Sequence, residues 1–343
     1  MAEPRDPVAD LRRIAFLLET ANEPSYRVRA FRGAAATLQR LPAGEAEERA
    51  RGGTLRALGG IGEVLARTIA ESLGGEEPVY LRRLEATGGR VVAELGAELC
   101  AALRGDCHVH SEWSDGGSPI REMAETAREL GHAYMALTDH SPSLTVANGL
   151  TAERLEQQLE EVAQLNVELA PFRILTGIEV DILSDGSLDQ TPELLARLDL
   201  VVGSVHSELR MAERLMTRRL VTALADPHLD ILGHCTGRMV TGKRNRPPSA
   251  FDAEIVFAAA AKFDKAVEVN ARPERLDPPK RLLRLAVEAG CRVAIDSDAH
   301  APGQLAWQPY GCDRAAACGV QARMIVNTLD ADALVEWAGA HEA

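Results

Sequence analysis

The 343-residue chain reads as an α/β protein in two parts, a small all-α region over residues 1–103 and a strand–helix series over residues 104–343. Three observations carry this. Helical apolar periodicity runs without interruption to about residue 103. Short apolar runs then alternate with helical stretches, which predicts a parallel barrel or a doubly wound sheet. Finally, 46% apolar and 26% charged residues are the proportions of a globular chain.

The elements follow in order. "DPVADLRRIAFLLETA" opens a helix, with Asp6 as cap and Pro7 at the first helical position. "SYRVRAFRGAAATLQRL" is a second helix, and "EPVYLRRLEATGG" a later one ending at a glycine pair. Between them, "LRALGGIGEVLARTIAESL" predicts two apolar-periodic helices joined by a G-x-G turn at Gly60–Gly62. From residue 104 the strand candidates are "GDCHVH", "AYMALTDH", "FRILTGIEVDI", "LDLVVGSVHS", "LDILGHC", "KAVEVNA", "CRVAIDSDAH" and "ARMIVNT". They imply seven or eight strand–helix units, with no internal repeat and no low-complexity segment.

Composition narrows the function classes. No apolar run approaches the ~20 residues of a membrane helix, and the charged amino terminus lacks the pattern of a secretory signal. The six cysteines show no C-x-x-C pair, so reduced thiols in a cytoplasmic protein are expected. A net charge of −13 argues against a uniformly basic surface coating nucleic acid, while leaving room for a local basic groove.

The chemistry is concentrated where the strands end. In a parallel barrel, functional groups sit at the carboxyl ends of the strands. The first run ends in His108 and His110, the second in Asp139 and His140, and the third in Glu179 and Asp181. The fourth brings His206, the fifth His234, the sixth Glu268 and Asn270, and the seventh Asp296, Asp298 and His300. Six of the nine histidines fall at these ends, too many on one face for chance; His132, His228 and His341 do not and are read as structural or surface residues. Imidazole and carboxylate without thiolate suit Zn²⁺, Mn²⁺ or Fe²⁺, and the donors outnumber what one ion can use. Several close cations suit phosphate ester hydrolysis. After the fifth strand, "GRMVTGKRNRPP" supplies Arg238, Lys243, Arg244 and Arg246, a loop able either to hold substrate phosphate or simply to be solvated. Arg238 lies nearest the strand end, and Arg272 and Arg275 are further candidates of the same kind.

The strings "GDCHVHSEWSDG", "ALTDHSPSLTVANGL", "GIEVDILSDGSLD", "VGSVHS", "DILGHCTGR", "EVNARPERLD" and "AIDSDAH" resemble, in order, the PHP (polymerase and histidinol phosphatase) domain, above all the module at the carboxyl end of bacterial family-X DNA polymerases. The resemblance implies a distorted, TIM-like (β/α)₇ barrel with three divalent metal ions and no organic cofactor. By motif, one ion takes His108, His110, Glu179 and Asp298; a second shares Glu179 with His206 and His234; the third takes Asp115, His140 and His300. Glu179, Asp139 and Arg238 are the expected catalytic groups. Asp106 and Asp296, with Asp139, are read as carboxylates that orient ligands, or else as loop or strand caps.

The amino-terminal region resembles the small helical domain of the same polymerases. Gly60, Ile61 and Gly62 would form the turn of a helix-hairpin-helix, offering backbone N–H groups to a DNA phosphate independently of base sequence. The polymerase core of that family is missing, because too few residues separate hairpin from barrel to hold a palm. DNA is the expected partner, a polymerase acting in trans is a further candidate that the sequence does not itself show, and no membrane is expected. Lyase chemistry through a lysine Schiff base is not expected, since no lysine precedes Lys243. The implied function is a metal-dependent phosphoesterase that processes DNA 3′ ends as a 3′–5′ exonuclease, 3′-phosphatase or abasic-site nuclease in repair. The alternatives are a small-molecule phosphatase of the histidinol-phosphate kind and a non-enzymatic DNA-binding scaffold, against which the complete ligand set argues.

Overall fold

The computed structural model describes residues 5–88, 91–241 and 245–341. It divides into two compact units, residues 1–90 and 91–343.

The first unit is helical: α1 (Pro7–Thr20), α2 (Ser25–Gln39), α3 (Glu45–Arg51), α4 (Glu63–Leu73) and α5 (Val79–Thr87). The Asp6 carboxylate accepts from Val8 N at 2.9 Å and so caps α1, with Pro7 at its first position. Leu11, Ile14, Ala15 and Leu18 form the buried stripe of α1 and meet Phe31, Ala34 and Leu38 of α2 and Leu65 and Ile69 of α4. The stretch before the G-x-G turn departs from expectation. "LRA" at 55–57 makes a single 3₁₀ turn, and the helix before it is the short α3. Gly60 has φ +80, a conformation that glycine adopts without a Cβ clash.

The second unit holds a seven-stranded, all-parallel sheet in the order β1 (Gly105–Val109), β2 (Tyr134–Leu137), β3 (Arg173–Asp181), β4 (Leu200–Ser204), β5 (Ile231–Leu232), β6 (Ala266–Asn270) and β7 (Arg292–Asp296). The sheet is nearly closed: Val109 bridges Ala299, and His110 N donates to Ala299 O at 2.8 Å. Helices α6 (Ala97–Ala102), α7 (Ile120–Glu129), α8 (Ala152–Leu169), α9 (Pro192–Leu195), α10 (Glu213–Leu224), α11 (Ala253–Lys262), α12 (Lys280–Glu288), α13 (Gln308–Ala317) and α14 (Ala331–Gly339) cover it. The barrel is distorted by a register shift between Asp106 and Val109 and by the two-residue β5.

Two expectations are corrected here. The compact units divide at residue 90 rather than 103, because the segment carrying α6 packs on α13 and the N–H groups of Glu94 and Gly96 both donate to Asp313. The run "ARMIVNT" is not an eighth strand but two 3₁₀ turns. Its buried Asn327 side chain takes over the hydrogen bonding, donating to Gly105 O at 3.0 Å and Ile295 O at 2.8 Å and accepting from Ile295 N at 3.1 Å. That amide joins the ends of β1 and β7 where a further strand would otherwise pair.

Candidate metal centre

Strand alternation builds the site. Successive side chains point to opposite faces, so Asp106, His108 and His110 follow one another on one face of the first strand and its extension. Glu179 and Asp181, Glu268 and Asn270, and Asp296 and Asp298 repeat the same spacing at β3, β6 and β7. All nine expected ligands meet. Glu179 is central: its Oε2 lies 2.8 Å from His140 Nδ1, 3.3 Å from His108 Nε2 and 3.6 Å from His110 Nε2. Its Oε1 lies 2.9 Å from His234 Nε2 and 3.4 Å from His206 Nε2. Asp115 Oδ1 stands 3.3 Å from His300 Nε2 and 3.5 Å from His140 Nε2, and Asp298 Oδ1 stands 3.5 Å from His110 Nε2.

Several of these atoms converge outside hydrogen-bonding geometry. His108 Nε2, both nitrogens of His110, His140 Nδ1, His206 Nε2, His234 Nδ1 and both oxygens of Glu179 are buried and have no hydrogen-bond partner. Each such group costs about 1–3 kcal/mol if left so, and divalent cations satisfy this donor set. The donor atoms fall into three groups, each within 4.8 Å: His108, His110 and Glu179; His140, Glu179 and His206; and His110, Asp115, His140 and His300. This differs from the motif-based partition in placing His140 beside Glu179 and His206, and His110 within the Asp115 group.

Two of the candidate ligands are held from behind. His108 Nδ1 lies 2.6 Å from Glu268 Oε1, which turns Nε2 toward Glu179. His206 Nδ1 lies 2.5 Å from Asp181 Oδ1 in the same manner. Electrostatics reflect the crowding. Burial opposes charge on His206, but Glu179 and Asp181 outweigh it and raise the imidazole to about 9. Burial likewise opposes charge on Glu179, yet His108, His140 and His206 hold its carboxyl well below the usual range. Behind the site, burial pushes Asp106 up to about 7 and, with repulsion from Asp106 and Glu268, pushes Asp296 well above its ordinary value.

The hydrogen bonds of the remaining expected residues define their surroundings. Asp106 orients the wall of the site: its carboxylate accepts from His108 N, Ser297 N and Ser297 Oγ. Asp296 accepts from Cys107 N at 2.9 Å, in the strand bearing His108 and His110. Asp139 is not placed to act on substrate. Its oxygens accept from Ser111 N, Ser111 Oγ, Ser114 Oγ and Gln158 Nε2, so it anchors the loop that carries Asp115. Arg238 is committed elsewhere, its Nε donating to Arg275 O at 3.0 Å and its Nη2 to Leu276 O. Arg246 Nε donates to Gly237 O, and Lys243 and Arg244 lie outside the described residues. Arg275 Nε approaches Asp298 Oδ2 at 3.1 Å, and Arg272 Nη1 approaches Asp298 Oδ1 at 3.6 Å and His300 Nδ1 at 3.1 Å. In the helical unit Gly60 and Gly62 are exposed, whereas Ile61 is buried and its N–H donates to Leu58 O. The supporting roles of Glu268 and Asp181 went unassigned in the sequence, although their spacing on β6 and β3 signalled an inward face.

Comparison with known proteins agrees with this geometry. The PHP domain model matches residues 106–272 and a helix-hairpin-helix domain model matches residues 4–77. A probable phosphatase of Acetivibrio thermocellus is 30% identical over 205 residues, covering 57% of this chain and 78% of that protein. The chain belongs to the PHP family. The PHP region is also 47% identical over 198 residues to the DNA polymerase/3′-5′ exonuclease PolX of Bacillus subtilis, spanning 58% of this chain and 34% of that protein. The chain thus covers about a third of that relative's length, as a chain without the polymerase core would. Among solved structures, histidinol phosphate phosphatase from Lactococcus lactis aligns over 64% of this chain and 94% of its own, with 19% identity and a TM-score of 0.46.

Proposed function

We propose that this PHP protein is a metal-dependent phosphoesterase that processes DNA 3′ ends in repair, as a 3′–5′ exonuclease, 3′-phosphatase or abasic-site nuclease. The observation that carries the reading is the union, in one chain, of a helix-hairpin-helix with exposed Gly60 and Gly62 and a buried His/Asp/Glu cluster. Three divalent ions, of zinc, manganese or iron, are the proposed occupants; when bound, such ions supply a nucleophile at neutral pH and neutralise charge developing at phosphorus. Glu179 holds five imidazoles in register around itself, and Glu268 and Asp181 fix two of their rings. Arg272 and Arg275 stand at Asp298, and Arg275 Nη1 lacks a hydrogen-bond partner, so these guanidiniums are the groups this reading assigns to substrate phosphate. A polymerase acting in trans is the partner this reading calls for.

The test separates DNA from a small substrate in the full chain. Gly62 has extended backbone and nothing within 4 Å of an added Cβ, so Gly62→Glu leaves the fold unstrained while setting a negative charge at the hairpin turn. The variant is expected to lose processing of 5′-labelled DNA and about one unit of salt slope in DNA binding, while keeping turnover of p-nitrophenyl phosphate. Equal activity of variant and parent on DNA, with intact monoester turnover, assigns instead a small-molecule phosphatase.

A further inference from the structure

The loops bearing Asp115 and His140 are fastened by one face of a single helix. Arg154, Gln158 and Glu161 of α8 follow the i, i+4, i+7 spacing that places side chains on one side of a helix. Arg154 Nη1 donates to Asn148 O at 2.7 Å and to Gly149 O at 3.2 Å, in the loop that follows His140. Its Nη2 donates to Trp113 O, two residues before Asp115, and its guanidinium lies over the Trp113 ring at 5.9 Å from the centroid. Gln158 Nε2 donates to Asp139 at 2.7 Å, and Asp139 in turn holds Ser111 and Ser114. Glu161 Oε2 accepts from Trp113 Nε1 at 3.0 Å.

The two loops are also tied to each other and to their own ends. Asn148 Nδ2 donates to Trp113 O at 3.2 Å. Leu150 N donates to His140 O at 2.7 Å, so the loop over 141–149 leaves and returns at a ligand. Gly149 is needed there, since a Cβ would stand 1.9 Å from Ser141 O. Arg154, Gln158 and Glu161 make no hydrogen bond or ion pair to Glu179, His206 or His234 among the described residues; the fastened loops meet Glu179 only through His140 Nδ1 at 2.8 Å and the backbone groups of Asp139 and Ser141.

We propose that α8, through Arg154, Gln158 and Glu161, is the positioning element for the cation held by Asp115, His140 and His300, and that occupancy of this position is thereby separable from that of the rest of the centre. The inference rests on the three-cation reading above. Arg154 contributes most because its planar fork reaches both loops at once, which a lysine ammonium cannot reproduce. Outer contacts of this kind set metal affinity by about 10–100-fold.

The experiment counts cations by elemental mass spectrometry on full-length protein equilibrated across a Mn²⁺ series, with thermal melts of the metal-stripped protein alongside. Arg154→Lys is expected to bind one cation fewer than the parent in dilute Mn²⁺ and to regain it at about 10–100-fold higher Mn²⁺, with an unshifted metal-free melt. Gln164→Ala, on the exposed side of the same helix, is expected to match the parent, which controls for damage to the helix. Parental stoichiometry and affinity in Arg154→Lys overturn the positioning role. A uniform loss of all cations in that variant overturns the claimed separability, and a parent that never binds three overturns the centre itself.

Discussion

Glu179 meets five imidazoles with one carboxylate. Glu179→Gln and His108→Ala are accordingly expected to abolish phosphate ester hydrolysis while leaving DNA retention unchanged in a filter-binding assay. Glu268 acts one step behind, through His108 Nδ1. Glu268→Gln is expected to lower metal affinity by about 10–100-fold, read by competition with a chromogenic chelator; an unchanged affinity contradicts the orienting role. The two arginine classes also separate at this scale. Arg238 braces the carbonyls of 275 and 276, so Arg238→Met should cost about 1–3 kcal/mol in a urea melt. Arg275→Met should instead raise KM for substrate phosphate, and a larger kinetic effect from Arg238→Met at unchanged stability would reverse the assignment. Arg238 misleads from sequence because nearness to a strand end does not say which way a side chain turns. Here two backbone carbonyls capture it, whereas Arg272 and Arg275, further along their loop, turn back to Asp298.

Elements were legible where a period was long enough to show. The stripe Leu11, Ile14, Ala15, Leu18 and the alternation Asp106, His108, His110 each repeat at the spacing of the structure they form. "ARMIVNT" misleads because a short apolar run with β-branched residues reads alike in a strand and in buried 3₁₀ turns. What decides it is Asn327, whose amide makes contacts with β1 and β7 that no local pattern encodes. Asn327→Ala leaves the Ile295 N–H without its acceptor, while Gln308 Nε2 still donates to Gly105 O and Ile295 O. At about 1–3 kcal/mol per unpaired group, the variant should lose that much in a urea melt, and a loss under 1 kcal/mol contradicts that account. The face Arg154, Gln158, Glu161 was equally hidden: on paper it is an ordinary polar side of an amphipathic helix, and only the fold shows two loops resting on it.

At the scale of the molecule, the two units divide the labour the proposal requires. The helical unit offers exposed glycines at a hairpin turn, and the barrel unit gathers nine candidate ligands from strands and loops spread between residues 108 and 300. That gathering was readable because a parallel barrel brings every strand's carboxyl end to one rim. The grouping of these candidate ligands was less so, since it depends on ring orientations held by Glu268 and Asp181 and, on the proposal above, by α8. Among the described residues no helix is long and apolar enough to cross a membrane. The most direct test of the central claim uses metal-stripped full-length protein and 5′-labelled DNA ending in a 3′-hydroxyl, a 3′-phosphate or an abasic site, with Mn²⁺, Zn²⁺ or Mg²⁺ returned singly. The account predicts intact DNA without cation, 3′-end products on adding back at least one of them, and intact DNA in every lane with Glu179→Gln. Processing by the stripped protein, or by Glu179→Gln with cation restored, would contradict it.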